Sequence, residues 1–108
     1  MNTLNIWIEI KNLNGVVLHT LDQRKPFEII SVTDNTVIVL PKSTGKERPI
    51  HREGIENAYR HLTVTGRLTL EELEKEFTPR NPVYTAAILA KIPGVQYKVN
   101  PIRLLVSK

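Results

Sequence analysis

The run Lys42-Ser43-Thr44-Gly45-Lys46-Glu47-Arg48-Pro49-Ile50-His51-Arg52 is the densest set of anion-binding groups in the chain. It holds four Lys/Arg, one acid, two hydroxyls and a glycine that lets another molecule approach the backbone. Cations, hydroxyls and free N–H groups suit phosphate oxygens, and a guanidinium can bind two of them at once. Lys42, Lys46, Arg48 and Arg52 would supply the charge, and Ser43 and Thr44 neutral hydrogen bonds. The same composition also suits a solvated strand-to-helix connection. Gly45-Lys46 does not extend to a phosphate-binding P-loop, because Leu40 holds the first glycine position and Glu47 the hydroxyl position.

A second cluster, Arg80, Asn81, Tyr84 and Thr85, falls where a helix should begin. Helix N-termini bind phosphate through unsatisfied N–H groups, and Arg, Asn and Thr side chains can reach base edges. Asn81 equally explains itself as an N-cap. Lys91, near the end of the same helix, adds a further cation.

Enzyme constellations are poorly supplied, and we expect no catalytic residues. The chain has no cysteine, which excludes thiolate zinc sites, disulfides and a cysteine nucleophile. His19, His51 and His61 do not fall at metal-ligand spacing with carboxylates, and His51 has no evident partner. Asp22 and Asp34 look like turn residues. No metal or cofactor is expected.

Strands should position these groups in the first half. Leu4, Ile6, Ile8 and Ile10 alternate with Asn5, Trp7 and Glu9, which predicts a half-buried strand with Trp7 on its polar side. After the Asn14-Gly15 turn signal comes the apolar run Val16-Val17-Leu18. Phe27–Val32, opened by Pro26, and Thr36–Leu40 are separated by Thr33-Asp34-Asn35, which predicts a hairpin. Ile50 lies in a short extended segment.

Helices and a second hairpin should follow. Ile55, Ala58, Tyr59 and Leu62 predict an amphipathic helix over about 52–63, stopped by Gly66. Thr69 and Glu72 form a capping box, with Leu68 and Leu73 as its hydrophobic staple. Leu70, Leu73 and Phe77 give that short helix its buried stripe, and Pro79 ends it. Asn81-Pro82 starts a helix over 82–92 that is apolar nearly all round and therefore central. Residues 95–106 read as a hairpin turning at Asn100-Pro101.

From about residue 52 onward, this order of helix, short helix, turn, helix and two-stranded hairpin resembles a winged helix-turn-helix. The resemblance covers just over half of the chain and rests on element order. It implies DNA binding, with Thr69–Leu73 opening the positioning helix, 81–92 as the recognition helix and 95–106 as the wing.

Taken whole, the 108 residues predict one α+β domain: an N-terminal antiparallel β-meander, two to three helices and a C-terminal β-hairpin. Residues 1–50 form its β-rich half and 51–108 its helical half. Fifteen basic residues against 11 acidic give a net charge of +4. The first half carries 6 basic and 5 acidic residues, and no acid follows Glu76. That bias suits a basic side facing a polyanion, and equally an ordinary solubilising surface. No membrane span is predicted, and the N-terminus lacks the features of a secretory signal, which points to the cytoplasm.

The expected function is a small noncatalytic nucleic-acid-binding or regulatory module, with duplex DNA as the partner. Lys42, Lys46, Arg48, Arg52, Arg80 and Lys91 would contact phosphates, and Tyr84 and Thr85 would lie nearest the bases. The rival reading is a protein-interaction or homodimerisation module using an edge strand or the Trp7 face.

Overall fold

The computed structural model describes residues 5–107. The chain opens with a helix, α1 (Ile6–Lys11), not the expected strand. Asn5 makes the difference, because its Oδ1 accepts the Trp7 N–H at 3.0 Å and caps the first turn. Ile6, Trp7 and Ile10 then share one side of the helix and are buried, while Ile8 is left 57% exposed. Trp7 is therefore a core residue, 2% exposed, and offers no face to a partner. Its indole N–H donates to the Thr33 carbonyl at 2.8 Å. Leu4, the first residue of the alternation, lies outside the described residues.

Four antiparallel strands follow in the order of the sequence: β1 (Val17–His19), β2 (Pro26–Val32), β3 (Thr36–Pro41) and β4 (Arg48–His51). The expected β2–β3 hairpin is present, pairing Phe27 with Pro41 and Val32 with Val37 across a shift between Ile29 and Ser31. The Thr33 hydroxyl accepts the N–H groups of Asn35 and Thr36 and fixes its turn. Leu18, Phe27, Ile29, Val37, Val39 and Ile50 point into the core.

Helix α2 (Arg52–Thr65) begins directly at the end of β4 and buries Ile55, Ala58 and Leu62. Gly66, at φ 86°, closes it by donating its N–H to the Leu62 carbonyl at 2.7 Å. After β5 (Arg67–Thr69), the capping box opens α3 (Leu70–Glu72) as expected. That turn widens into a π-helical segment, Leu73–Phe77, closed by the Thr78 N–H donating to the Leu73 carbonyl at 2.8 Å. Helix α4 (Pro82–Leu89) and the hairpin β6 (Val95–Lys98) and β7 (Arg103–Val106) complete the chain. The second sheet has strand order β5-β7-β6 and is antiparallel. The domain is therefore α+β, with the N-terminal meander and C-terminal hairpin in separate sheets.

Helix α4 is the hub of the packing. It touches α2, α3, the π-helical segment, β7 of the second sheet and β1 of the first. Thr85, Ala86, Ala87, Ile88 and Leu89 are all buried, which bears out the central position that its apolar sequence predicts. One continuous core joins both sheets and all four helices. Among the described residues, no helix is long and apolar enough to cross a membrane.

Candidate functional site

Two turns meet at one end of the first sheet. Lys42 donates its N–H to the Pro26 carbonyl at 3.1 Å, which fixes the β3–β4 turn beside the start of β2. The β1–β2 turn ends at that same residue, closed by the Thr20 N–H donating to the Lys25 carbonyl at 2.9 Å. Arg24 and Lys25 therefore join Lys42, Ser43, Thr44 and Lys46 at this end, all exposed. Lys42 is ion-paired with Glu28 at 3.2 Å, so the charge of the two turns is borne mainly by the other cations.

Arg48, on β4, pairs with Val39 and shares its inward-facing side of the sheet. Its guanidinium lies over the Tyr84 ring, 5.9 Å from the centroid, and its Nε is buried without a hydrogen-bond partner. Tyr84 in turn packs edge-on against Phe27, with ring centroids 5.1 Å apart. The structure thus gathers Lys42, Ser43, Thr44, Lys46, Arg48 and Tyr84 from two distant parts of the sequence.

A cleft of about 1100 Å³ runs from Arg48 along β4, one of the two edge strands of the sheet. Its walls are β4, the first turn of α2 and the Glu76–Asn81 segment. Arg48, Arg52, Arg60 and Arg80 line it together with Glu47, Glu53, Glu56 and Glu76. Arg80 is exposed there. Asn81 reaches back to β4, its Nδ2 donating to the Pro49 carbonyl at 3.3 Å.

Three expected site residues stand elsewhere or face inward. Arg52 turns to the far end of the cleft, where its guanidinium lies 5.0 Å from the Trp7 ring centroid. There it also donates to the Asp34 carbonyl at 2.9 Å and pairs with Glu56 at 3.1 Å. Thr85 is fully buried in the core side of α4 and reaches no surface. Lys91 is exposed, but beyond the opposite end of α4 from Arg80. Asn81 sits at the N-cap position, yet its side chain makes no capping hydrogen bond.

Sequence reasoning missed Thr78, Arg24 and Lys25. Arg24-Lys25 became relevant only through the register that puts Pro26 against the β3–β4 turn. Thr78 enters the cleft because the π-helical turn adds a residue before it, and no local pattern announces that turn. Among the described residues, no group of three or more His, Cys, Asp or Glu could hold a metal ion.

Two carboxylates are held below their ordinary range. Asp34 is lowered by the Lys11 ammonium, which hydrogen-bonds it at 2.8 Å. Glu72 is lowered chiefly by the backbone N–H of Thr69, donated at 2.9 Å. Both are accounted for by these structural bonds, and neither lies in the cleft. Comparison with protein families, curated proteins and solved structures finds no match for this chain.

Proposed function

We propose that this domain is a noncatalytic nucleic-acid-binding module that grips the phosphate backbone of duplex DNA with the basic end of its first sheet. The carrying observation is the meeting of the β1–β2 and β3–β4 turns, which brings the turn bearing Arg24 and Lys25 against the turn bearing Lys46. Exposed cations on short turns can follow a phosphate backbone without reading sequence. The succession α2, β5, α3, α4, β6, β7 with strand order β5-β7-β6 supports the winged helix-turn-helix resemblance. The contact differs from a recognition helix in a groove, however, because α4 is covered by β1, β7, α2, α3 and the π-helical segment.

Fluorescence anisotropy with labelled duplex DNA across a salt series tests this reading. The Lys25→Glu/Lys46→Glu variant should weaken binding and lower the salt slope by about two, roughly one for each lost phosphate contact. Unchanged affinity and slope in that variant would remove the turns from the interface. A second reading, self-association through the edge strand β1, is favoured by Val16 and Val17, which are 39% and 44% exposed. Sedimentation equilibrium decides it: a concentration-independent monomer mass rules it out.

A further inference from the structure

We propose that the cleft between β4, the first turn of α2 and the Glu76–Asn81 segment binds the phosphoryl group of a nucleotide, either free or at the end of a strand. This deepens the nucleic-acid reading and rests on it only for the identity of the ligand.

Two helix N-termini open on the cleft. The N-cap residues of α2 and α4, His51 and Asn81, both line it, and neither provides a side-chain cap. α2 is 14 residues long and α4 is 8. The Arg52 N–H donates to the Asn35 carbonyl at 2.8 Å, and Pro82 has no N–H. The first-turn N–H groups without a side-chain cap are therefore those of Glu53 and Gly54 in α2 and Val83 and Tyr84 in α4, at the positive end of each dipole. Four arginines and four glutamates in the lining cancel formally. The preference for an anion therefore comes from the helix ends and from which side chains lack partners.

Those unpartnered groups point independently to a ligand. Thr78 and Asn81 are only 6% and 8% exposed, line the cleft, and leave Thr78 Oγ1 and Asn81 Oδ1 without a hydrogen bond. Arg48 Nε, also in the lining, is a third orphan. Leaving such groups unmet is costly, and a native fold seldom clusters several without a reason. Gly54 brings them into position. A Cβ there would lie 2.5 Å from the Phe77 carbonyl oxygen and 3.2 Å from Thr78 Cγ2, so the bare Cα lets Thr78 sit against the first turn of α2.

The chemistry of the orphans narrows the ligand. The Thr78 hydroxyl, Arg48 Nε and the helix N–H groups donate, which suits phosphoryl oxygens. Asn81 Oδ1 only accepts, so the ligand must also carry a hydroxyl or amino donor. A nucleotide carries phosphoryl acceptors and, on its sugar and base, separate hydroxyl and amino or imino donors. Inorganic phosphate offers its acceptors and its O–H on a single phosphorus and cannot span the same groups.

An amide-resolved NMR titration of the whole chain at constant ionic strength tests this. The probes are deoxythymidine monophosphate, inorganic phosphate, and single-stranded oligonucleotides with and without a terminal phosphate. The mononucleotide should shift the amides of Glu53, Gly54, Arg80 and Asn81 saturably, and inorganic phosphate should shift the same amides more weakly. Thr78→Val and Arg80→Gln should each weaken the mononucleotide about tenfold, and Lys91→Gln, beyond the far end of α4, should leave it unchanged. A preference for the terminally phosphorylated strand extends the site to strand ends, and equal binding of both strands restricts it to free nucleotides. Arg80 is exposed, so Arg80→Gln carries the test if Thr78→Val disturbs the fold. Shifts confined to the lysine-bearing turns, or unaffected by Arg80→Gln, would overturn the cleft assignment while leaving the basic turns in place. Mononucleotide binding in the cleft without any binding of DNA would keep the site and overturn the nucleic-acid reading.

Discussion

The Thr69–Glu72 pair shows how much a local arrangement can be worth in this chain. The Thr69 hydroxyl accepts the Glu72 N–H at 3.1 Å, and the Glu72 carboxylate accepts the Thr69 N–H at 2.9 Å. His61 Nε2 lies 3.1 Å from the other carboxylate oxygen, which ties α2 to the same turn. Thr69→Ala should cost about 1 kcal/mol in urea denaturation, the usual worth of an N-cap. Because the folded state holds Glu72 below its ordinary value of 4.5, it favours the ionised form. That contribution is complete above the ordinary value and is lost as pH falls through the lowered one. Glu72→Gln should therefore be less stable at neutral pH and show a shallower decline on acidification. The decline should persist in part, since Asp34 is lowered as well. Equal slopes for the variant and the parent protein between about pH 5 and 3 would remove Glu72 from the acid response.

Elements were legible where local chemistry agreed with tertiary packing. Thr33-Asp34-Asn35 between two β-branched runs led directly to the β2–β3 hairpin, because turn chemistry and strand pattern demand the same register. The stretch from Leu4 to Ile10 misled because its residues fit two periods. Ile6, Trp7 and Ile10 satisfy a helical stripe, and the cap at Asn5 settles the choice. The candidate site was half legible. Lys42, Lys46 and Arg48 could be read from one run and Tyr84 from a second, but Arg24 and Lys25 join them only through long-range register, as does the packing of Tyr84 against Arg48. Helix α2 offers a sharp test of such tertiary control. Glycine is about 1 kcal/mol worse than alanine inside a helix, so propensity alone predicts that Gly54→Ala stabilises. The Phe77 carbonyl, 2.5 Å from the new Cβ, is backbone and cannot swing away. The variant should instead lose about 1–3 kcal/mol in thermal denaturation. A raised melting temperature would mean that the Phe77–Thr78 segment yields easily.

At the scale of the molecule, the two sheets are joined through α4 and share one core, so the basic turns and the cleft are parts of a single body. The far wall of that cleft has a spectroscopic consequence. Trp7 is the only tryptophan in the chain, it is shielded from water, and a cleft-lining guanidinium rests 5.0 Å from its ring centroid. Indole emission responds to the electric field across the ring, and the Arg52 charge sets part of that field. An anion entering the cleft would rebalance the Arg52–Glu56 pair and change the field. Intrinsic fluorescence should then shift saturably with added mononucleotide, and Arg80→Gln should move the curve to higher concentration. A flat emission trace during a titration that saturates by NMR would mean that the bound phosphoryl group stops short of Arg52. The fold has in effect built an unlabelled optical gauge into its own wall.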